Sequence, residues 1–514
     1  MLKYGINYKK EKSALITATK DFLDRIDALA ERRKNEILNS TDTLSITGKT
    51  YYVANDGDDE NEGVSPEKPW KTLAKVSCAP LQVGDGVLFK RGELFRGKVM
   101  TKSGVTYGAY GEGAKPKLYG WDYDLADETL WVLSDAGHNI WKMVKPILDP
   151  GTLVFNHGEK HSYKHIPSYL NGRFVCRDDE SKEFIMADEM KGDLDIYWHF
   201  DGILTTSPSK GQDFPIPETG ERSYGELYLR CDNGNPGKLF SSIEALVRRP
   251  MFANGSNESV TIDNLCIKYV GLHGIAAGGK YVKRLTVSNC EIGWIGGTIQ
   301  HYLGTDPNYP EGGRGTVTRF GNGIEIYGGC ENYRVENCYV YQCYDAGITH
   351  QVTTNGNTYS MNNVVYKNNL VEYCVYGIEY FLEMNNGDTE SLMKDIEMCG
   401  NIIRHSGYGW GQQRHNKHTP AAIKGWSYTN RAEGYSVHDN IFDRAAYRML
   451  HLVAEKDNYC PEMYGNTYIQ HCCGMIGQFG GNENGEPPIE LFDENAEEKI
   501  AAVFKDKGAK VYII

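Results

Sequence analysis

Glu325, Thr349, Glu379 and Lys424 each follow directly on an isoleucine, at Ile324, Ile348, Ile378 and Ile423. If each isoleucine sits on a strand and points inward, the residue after it points outward. Strands at successive turns of a coil stand ~4.8 Å apart, so Glu325 and Glu379 fall two steps, ~10 Å, apart at the backbone. Carboxyl groups on flexible arms at that spacing reach the ~6.5–9.5 Å at which an inverting glycosidase holds its acid and its base. Lys424, one step beyond Glu379, would lower that carboxylate's pKa or bind substrate. Two residues further along each strand lie Tyr327, Gln351, Phe381 and Trp426. Aromatic rings stack on the apolar faces of sugars, and an amide supplies hydrogen bonds, so this second column suits a sugar groove. Asp345, at the turn entering the same strands, and Glu383, one alternation past Phe381, are further candidates for the acid or base.

An outward glutamate is ordinarily a solvated group, and Glu–Lys neighbours across strands are ordinary pairs. The cluster as a whole favours a site because two long insertions flank it. One, around 301–319, carries Tyr302, Asp306, Tyr309 and Arg314; the other, around 408–418, carries Trp410, Arg414, His415 and His418. Long loops on a rigid scaffold are where binding groups concentrate, and Trp410, Arg414 and His415 join the expected substrate-binding set. His415 and His418 lack an obvious third ligand, so no metal is assigned.

These columns require a coil, and the chain repeats in a way that makes one. Asn264-Leu-Cys-Ile leads to Gly274-Ile, Asn337-Cys-Tyr-Val to Gly347-Ile, and Asn368-Asn-Leu-Val to Gly377-Ile, with more diverged copies starting at Asn289, Gly400, Asp439 and Gly465. Repeats of about 20–50 residues mark stacked architectures, and period-two alternation makes the units strands. The expected fold is all-β: a right-handed parallel β-helix with an N-terminal helix and a C-terminal cap. The helix is read over 10–39, with Leu15, Phe22, Ile26, Leu29 and Ile37 near one face; it would pack on the coil or join a second subunit. The expected layout is an extension over 1–48, the coil over 49–480 with a β-rich excursion at about 121–250, and a cap over 481–514.

The stretch Tyr51-Tyr-Val-Ala-Asn-Asp-Gly-Asp, with Gly63-Val-Ser-Pro-Glu-Lys-Pro-Trp-Lys-Thr-Leu and Gly84-Asp-Gly-Val-Leu-Phe-Lys-Arg-Gly, resembles the entry to right-handed parallel β-helix proteins of bacterial carbohydrate metabolism, the pectate-lyase-like superfamily. The later Asn and Gly-Ile repeats look like the same superfamily's coils. The resemblance implies the fold and a carbohydrate, and it spans glycoside hydrolases, polysaccharide lyases, epimerases and silent members. The acidic positions of β-helix xylosidases align with Phe381 and Gly425, so no catalytic residue is carried over.

Composition narrows the classes. A net charge of −13 lacks the basic stripe that nucleic acid requires. No stretch is apolar enough to span a membrane. The 13 cysteines are odd in number and carry no zinc pattern, and the first residues carry no secretory signal, so free thiols and a cytoplasmic location are expected. Asp56, Asp58 and Glu60 form an acidic turn without full calcium-loop spacing. No cofactor is expected, with calcium the one ion left open. The leading reading is a glycoside hydrolase acting on an oligosaccharide, with Glu379 as one carboxylate and Glu325 or Asp345 as the other. The second is a lyase or uronate epimerase with Lys424 or Arg414 as base. The third is a non-catalytic carbohydrate-binding solenoid.

Overall fold

The computed structural model of the protein describes residues 18–41, 44–170, 173–200, 224–302, 317–414, 420–427, 429–453, 461–472, 474–481, 487–492 and 495–514. The chain is mostly β, with 45% strand and 12% helix, and its main body is a three-faced parallel β-helix. One face is a ten-stranded sheet running from Leu94–Arg96 to Lys510–Ile513. A bent nineteen-stranded sheet makes the other two. The face that matters for chemistry stacks Ile275–Lys283, Ile324–Glu336, Ala346–Thr353, Tyr376–Glu383, Ala421–Gly425 and Arg448–Leu452 in parallel.

Inside this face runs a continuous apolar column. Ile275, Ile324, Ile348, Ile378, Ile423 and Leu450 pair rung to rung and are fully buried. Burying a side chain of this size contributes roughly 1.5–3 kcal/mol, which pins the register: a one-residue slip would turn the whole column out to water.

Each coil turns its corner through a left-handed residue. Asn264, Asn289, Asn337, Asn368 and Asp439 have φ between 52° and 60°, and Gly400 and Gly465 have 65° and 69°. These are the positions at which the sequence repeat begins, because Asn, Asp and Gly tolerate this backbone best. In four later coils the next residue is a buried asparagine. Asn369, Asn401, Asn440 and Asn466 form a ladder: each of the first three donates its amide to the next one's Oδ1 at 2.9–3.0 Å and to a backbone carbonyl. The ladder ends where Asn466 donates to Asp506 at 2.9 Å. We expect Asn401→Leu to leave one Asn369 amide hydrogen and the Asn369 backbone N–H without the acceptor that Asn401 provides. At about 1–3 kcal/mol per unsatisfied buried group, the cost is roughly 2–6 kcal/mol. A lowered unfolding midpoint checks this; an unchanged midpoint would mean the ladder is dispensable.

The N-terminal helix, Lys20–Leu38, is capped by Thr19 and lies on the ten-stranded face. Ala30 and Ile37 pack against Tyr339, Leu370 and Ile402, and Asp27 is clamped between Arg404 and Arg444. The apolar face offered in the sequence as a route to a second subunit is thus covered by the chain's own coil. Leu15 lies outside the described residues. At the far end, the helix Ala496–Val503 buries Ala496 and Ile500 in the core, and Lys510–Ile513 adds the last parallel rung. The acidic turn is used locally: Asp58 accepts from the Glu60 N–H at 3.0 Å, and Asp56 pairs with Lys90 at 3.5 Å.

The described residues between 121 and 250 build mostly antiparallel sheets of their own around Trp121, Trp131, Phe155, Ile196, Leu227 and Leu229. This excursion braces a hairpin, Thr298–Tyr302 with Val317–Phe320, on the carboxylate-bearing face. Arg319 donates to the Gly151 and Gly297 carbonyls at 2.7 and 2.6 Å, and Asp149 accepts from the Ile299 N–H at 2.6 Å.

Eleven described cysteines are free and nine of them are buried, among them Cys266, Cys290 and Cys338. They pack as small apolar groups. Among the described residues, no helix is long and apolar enough to cross a membrane.

Candidate active site

Because the isoleucine column points inward, the column after it points outward. The structure aligns Ala276, Glu325, Thr349, Glu379, Lys424 and His451 on successive rungs. The next outward column holds Tyr327, Gln351 and Phe381 in register, with Trp426 against Phe381 at 4.8 Å between ring centroids. Most of these side chains leave the coil without reaching open solvent, while Tyr327 stays 40% exposed. Glu325, Glu379, Lys424 and His451 of the first column and Tyr327, Gln351, Phe381 and Trp426 of the second line a cavity of about 700 Å³ with His273, Asn322, Phe320, Asp345 and Arg414, within the size range of ordinary ligand pockets; Thr349, expected on this face, is buried and does not line it.

Two turns wall the cavity. Gln300 and Phe320, from the braced hairpin, form one side, and Arg414 reaches in from the other. Arg414 is held in place by the short 3-10 turn Trp410–Gln413. Gln413 donates to the Ser162 carbonyl at 2.7 Å, and the Trp410 indole N–H donates to the Gln342 carbonyl at 2.8 Å. The remainder of both insertions, including Asp306, Tyr309, Arg314, His415 and His418, lies outside the described residues, and of Tyr302 only its place on the strand is described.

The carboxylates occupy different environments. Glu325 meets three donors: the Asn322 amide, the Gln351 amide at 3.0 Å, and His273 Nε2 at 3.4 Å. The tautomer of His273 follows from its other nitrogen. Nδ1 accepts from the Asn322 backbone N–H at 3.0 Å, so in the neutral ring Nε2 carries the proton. Asn322 is itself oriented by accepting from the Ala346 N–H at 2.8 Å. Every contact around Glu325 therefore serves a hydrogen-bond acceptor.

Glu379 is only 6% exposed, and burial raises its pKa above the ordinary carboxylate value. The charge of Asp345 adds to the rise, while Lys424, 2.9 Å away, and Arg414 pull against it. Lys424 thus acts in the direction expected from sequence, but burial outweighs it. Burial also works against the Lys424 ammonium, but Glu379 and Tyr376 together favour it, leaving the lysine above its usual value. The ammonium lies 4.1 Å from the centroid of Tyr376 and 5.5 Å from that of Trp426, a cation–π setting. Asp345 is paired with Arg414, whose guanidinium lies over Tyr344 and Tyr376.

Two expected residues fall elsewhere. Glu383 stands at the end of its strand, accepts from the Thr353 hydroxyl at 2.7 Å and does not line the cavity. Trp410 is buried against Tyr344 at 5.2 Å; it anchors the turn that carries Arg414 and presents no face to a ligand. Conversely, His273, Asn322, Phe320 and His451 line the cavity without having been singled out. His273 and Asn322 each stand directly before a Gly-Ile step, a position that would have drawn attention to both. His451 is the next rung after Lys424, but its strand, Arg448-Met-Leu-His-Leu, has no Gly-Ile to align.

The fold and the cavity together define a parallel β-helix with a carboxylate- and aromatic-lined pocket on one outer face. No protein-family profile matches the chain. A stretch of 88 residues is 35% identical to a lacto-N-biosidase of Bifidobacterium longum, covering 15% of this chain and 6% of that protein. Among solved structures, the lacto-N-biosidase of Eubacterium ramulus aligns over 96% of this chain and 71% of its own at 13% identity, with a TM-score of 0.38. XylC in complex with xylose aligns over 90% and 82% at 13% identity, also with a TM-score of 0.38.

Proposed function

We propose that the protein is a glycoside hydrolase that cleaves an oligosaccharide in this cavity, with Glu379 as general acid and Glu325 as general base. The observation that carries the reading is the contrast between two carboxylates on one rung column. One is surrounded by donors suited to an anion; the other is buried so that its protonated form persists to higher pH. Environments that separate two carboxyl groups in this way are how acid and base roles are divided. Glu379 would give its proton to the glycosidic oxygen as the bond to the anomeric carbon breaks. Glu325 would take a proton from the attacking water. The two-rung, ~10 Å backbone separation suits inversion, which needs room for that water. Gln351, holding Glu325 through its amide N–H, keeps Oε1 without a partner among the described residues, an acceptor for a sugar hydroxyl. Tyr327, Phe381 and Trp426 supply the stacking surface. The local likeness to a lacto-N-biosidase supports oligosaccharide hydrolysis.

The pairing of both Lys424 and Arg414 with carboxylates counts against the lyase or epimerase reading, in which one of them would have to be a free base. Release of reducing sugar from a panel of oligosaccharides and aryl glycosides, run beside uronic polymers assayed for unsaturated product, tests the reading. Unsaturated product without hydrolysis would replace it.

The electrostatics give a pH signature. Because Glu379 must be protonated to act, turnover falls as pH rises through its pKa. Lys424→Met removes the ammonium that pulls this pKa down, so the alkaline limb of the kcat profile should move to higher pH. A limb that stays in place would show that Glu379 does not set it.

A further inference from the structure

On the third face of the coil, away from the cavity, Glu397 and Cys399 project from the strand Leu392–Cys399, and His438 is paired with Cys399 on the next rung. A carboxylate oxygen of Glu397, the sulfur of Cys399 and a ring nitrogen of His438 all lie within 4.8 Å of one another. We propose that these three side chains bind a divalent transition-metal cation of the zinc class, with Asp439 as the positioning residue behind His438.

The imidazole makes the argument. His438 Nδ1 lies 2.9 Å from Asp439 Oδ2, and its Nε2 lies 3.2 Å from Glu397 Oε1. A neutral ring has one N–H, so it can satisfy only one of two carboxylates. With the proton on Nδ1 facing Asp439, the Nε2 lone pair is aimed at a carboxylate oxygen and toward a sulfur, all of them acceptors. Such an arrangement calls for a positive charge among the three atoms, either a second ring proton or a metal ion. A carboxylate on the far nitrogen is also the usual way a metal-bound histidine is oriented.

The ring is fixed further by Tyr464, stacked on it at 4.4 Å between centroids and 10° between planes. Cys, His and Glu are zinc donors, with bonds of about 2.0–2.3 Å. The three donors need to draw together by no more than about 1 Å to meet that geometry. Glu397, whose side chain is 44% exposed, has the freedom to do so, and it leaves an entry path from solvent. Three protein ligands leave the fourth tetrahedral position to water or an exchangeable group. The ion would cross-link two successive rungs.

The test is titration of chelator-treated full-length protein with cobalt(II) alone, followed by the thiolate-to-cobalt charge-transfer absorption. The expected result is saturation of this band at one equivalent, its loss in Cys399→Ser, and weaker binding in Asp439→Asn by ~10–100-fold, the usual cost of removing such a support. Glu397→Gln, at an exposed position that leaves the fold unthreatened, should weaken binding by at least ~10-fold. No charge-transfer band in the wild type, a band that survives in Cys399→Ser, or an unchanged affinity in Glu397→Gln would overturn the site.

Discussion

Glu379→Gln should lower kcat on a cleaved oligosaccharide by at least ~10²-fold while leaving the fold intact, because it removes the proton that the leaving oxygen needs. The substitution keeps shape and volume. It abolishes the ion pair with Lys424 at 2.9 Å, so the lysine is left buried without its counter-charge, and part of the loss will appear as altered stability. Aryl glycosides with good leaving groups separate the two effects. They need little protonation, so a mutant that has lost only its acid should retain more activity on them than on unactivated sugars. Wild-type turnover on an unactivated substrate would remove Glu379 from the mechanism and transfer the acid role to Asp345. Equal losses on both substrate types would mean the defect is structural.

Glu325→Gln should be at least as damaging, by ~10²–10⁴-fold, and for a different reason. An amide cannot take a proton from water, and its NH₂ group would face the donors that now converge on the carboxylate from Asn322, Gln351 and His273. This variant should lose turnover equally on activated and unactivated substrates, since leaving-group ability does not replace a base. A double substitution should cost far less than the product of the single losses, as expected for residues acting in one step. If Glu325→Gln turned over at the wild-type rate, the base would have to be Asp345, and Asp345→Asn would be the decisive variant.

Much of this was legible in the chain. Corners that need a left-handed residue select Asn, Asp or Gly, so the repeat beginning at Asn264, Asn337, Asn368 and Gly400 marks real turns. Trp410 shows where legibility stops. An aromatic in a long loop suits a sugar or the loop's own anchoring equally well, and only the position of Tyr344 beneath it decides. Glu383 obeys the same alternation as Glu379, but it sits where the strand ends, beside the Thr353 hydroxyl, outside the cavity.

By itself the sequence determined the coil and the outward columns. A strand alternates with period two, and a row of isoleucines that must be buried leaves its neighbours no choice of side. Only the tertiary structure decided that the outward face is walled into a cavity, that His273, Asn322 and His451 belong to it, and that Glu325 and Glu379 differ. Those properties depend on groups far apart in the chain, among them His273, Asp345, Arg414 and Lys424. Burial and charge are set by what surrounds a side chain in space, and the order of residues does not state it.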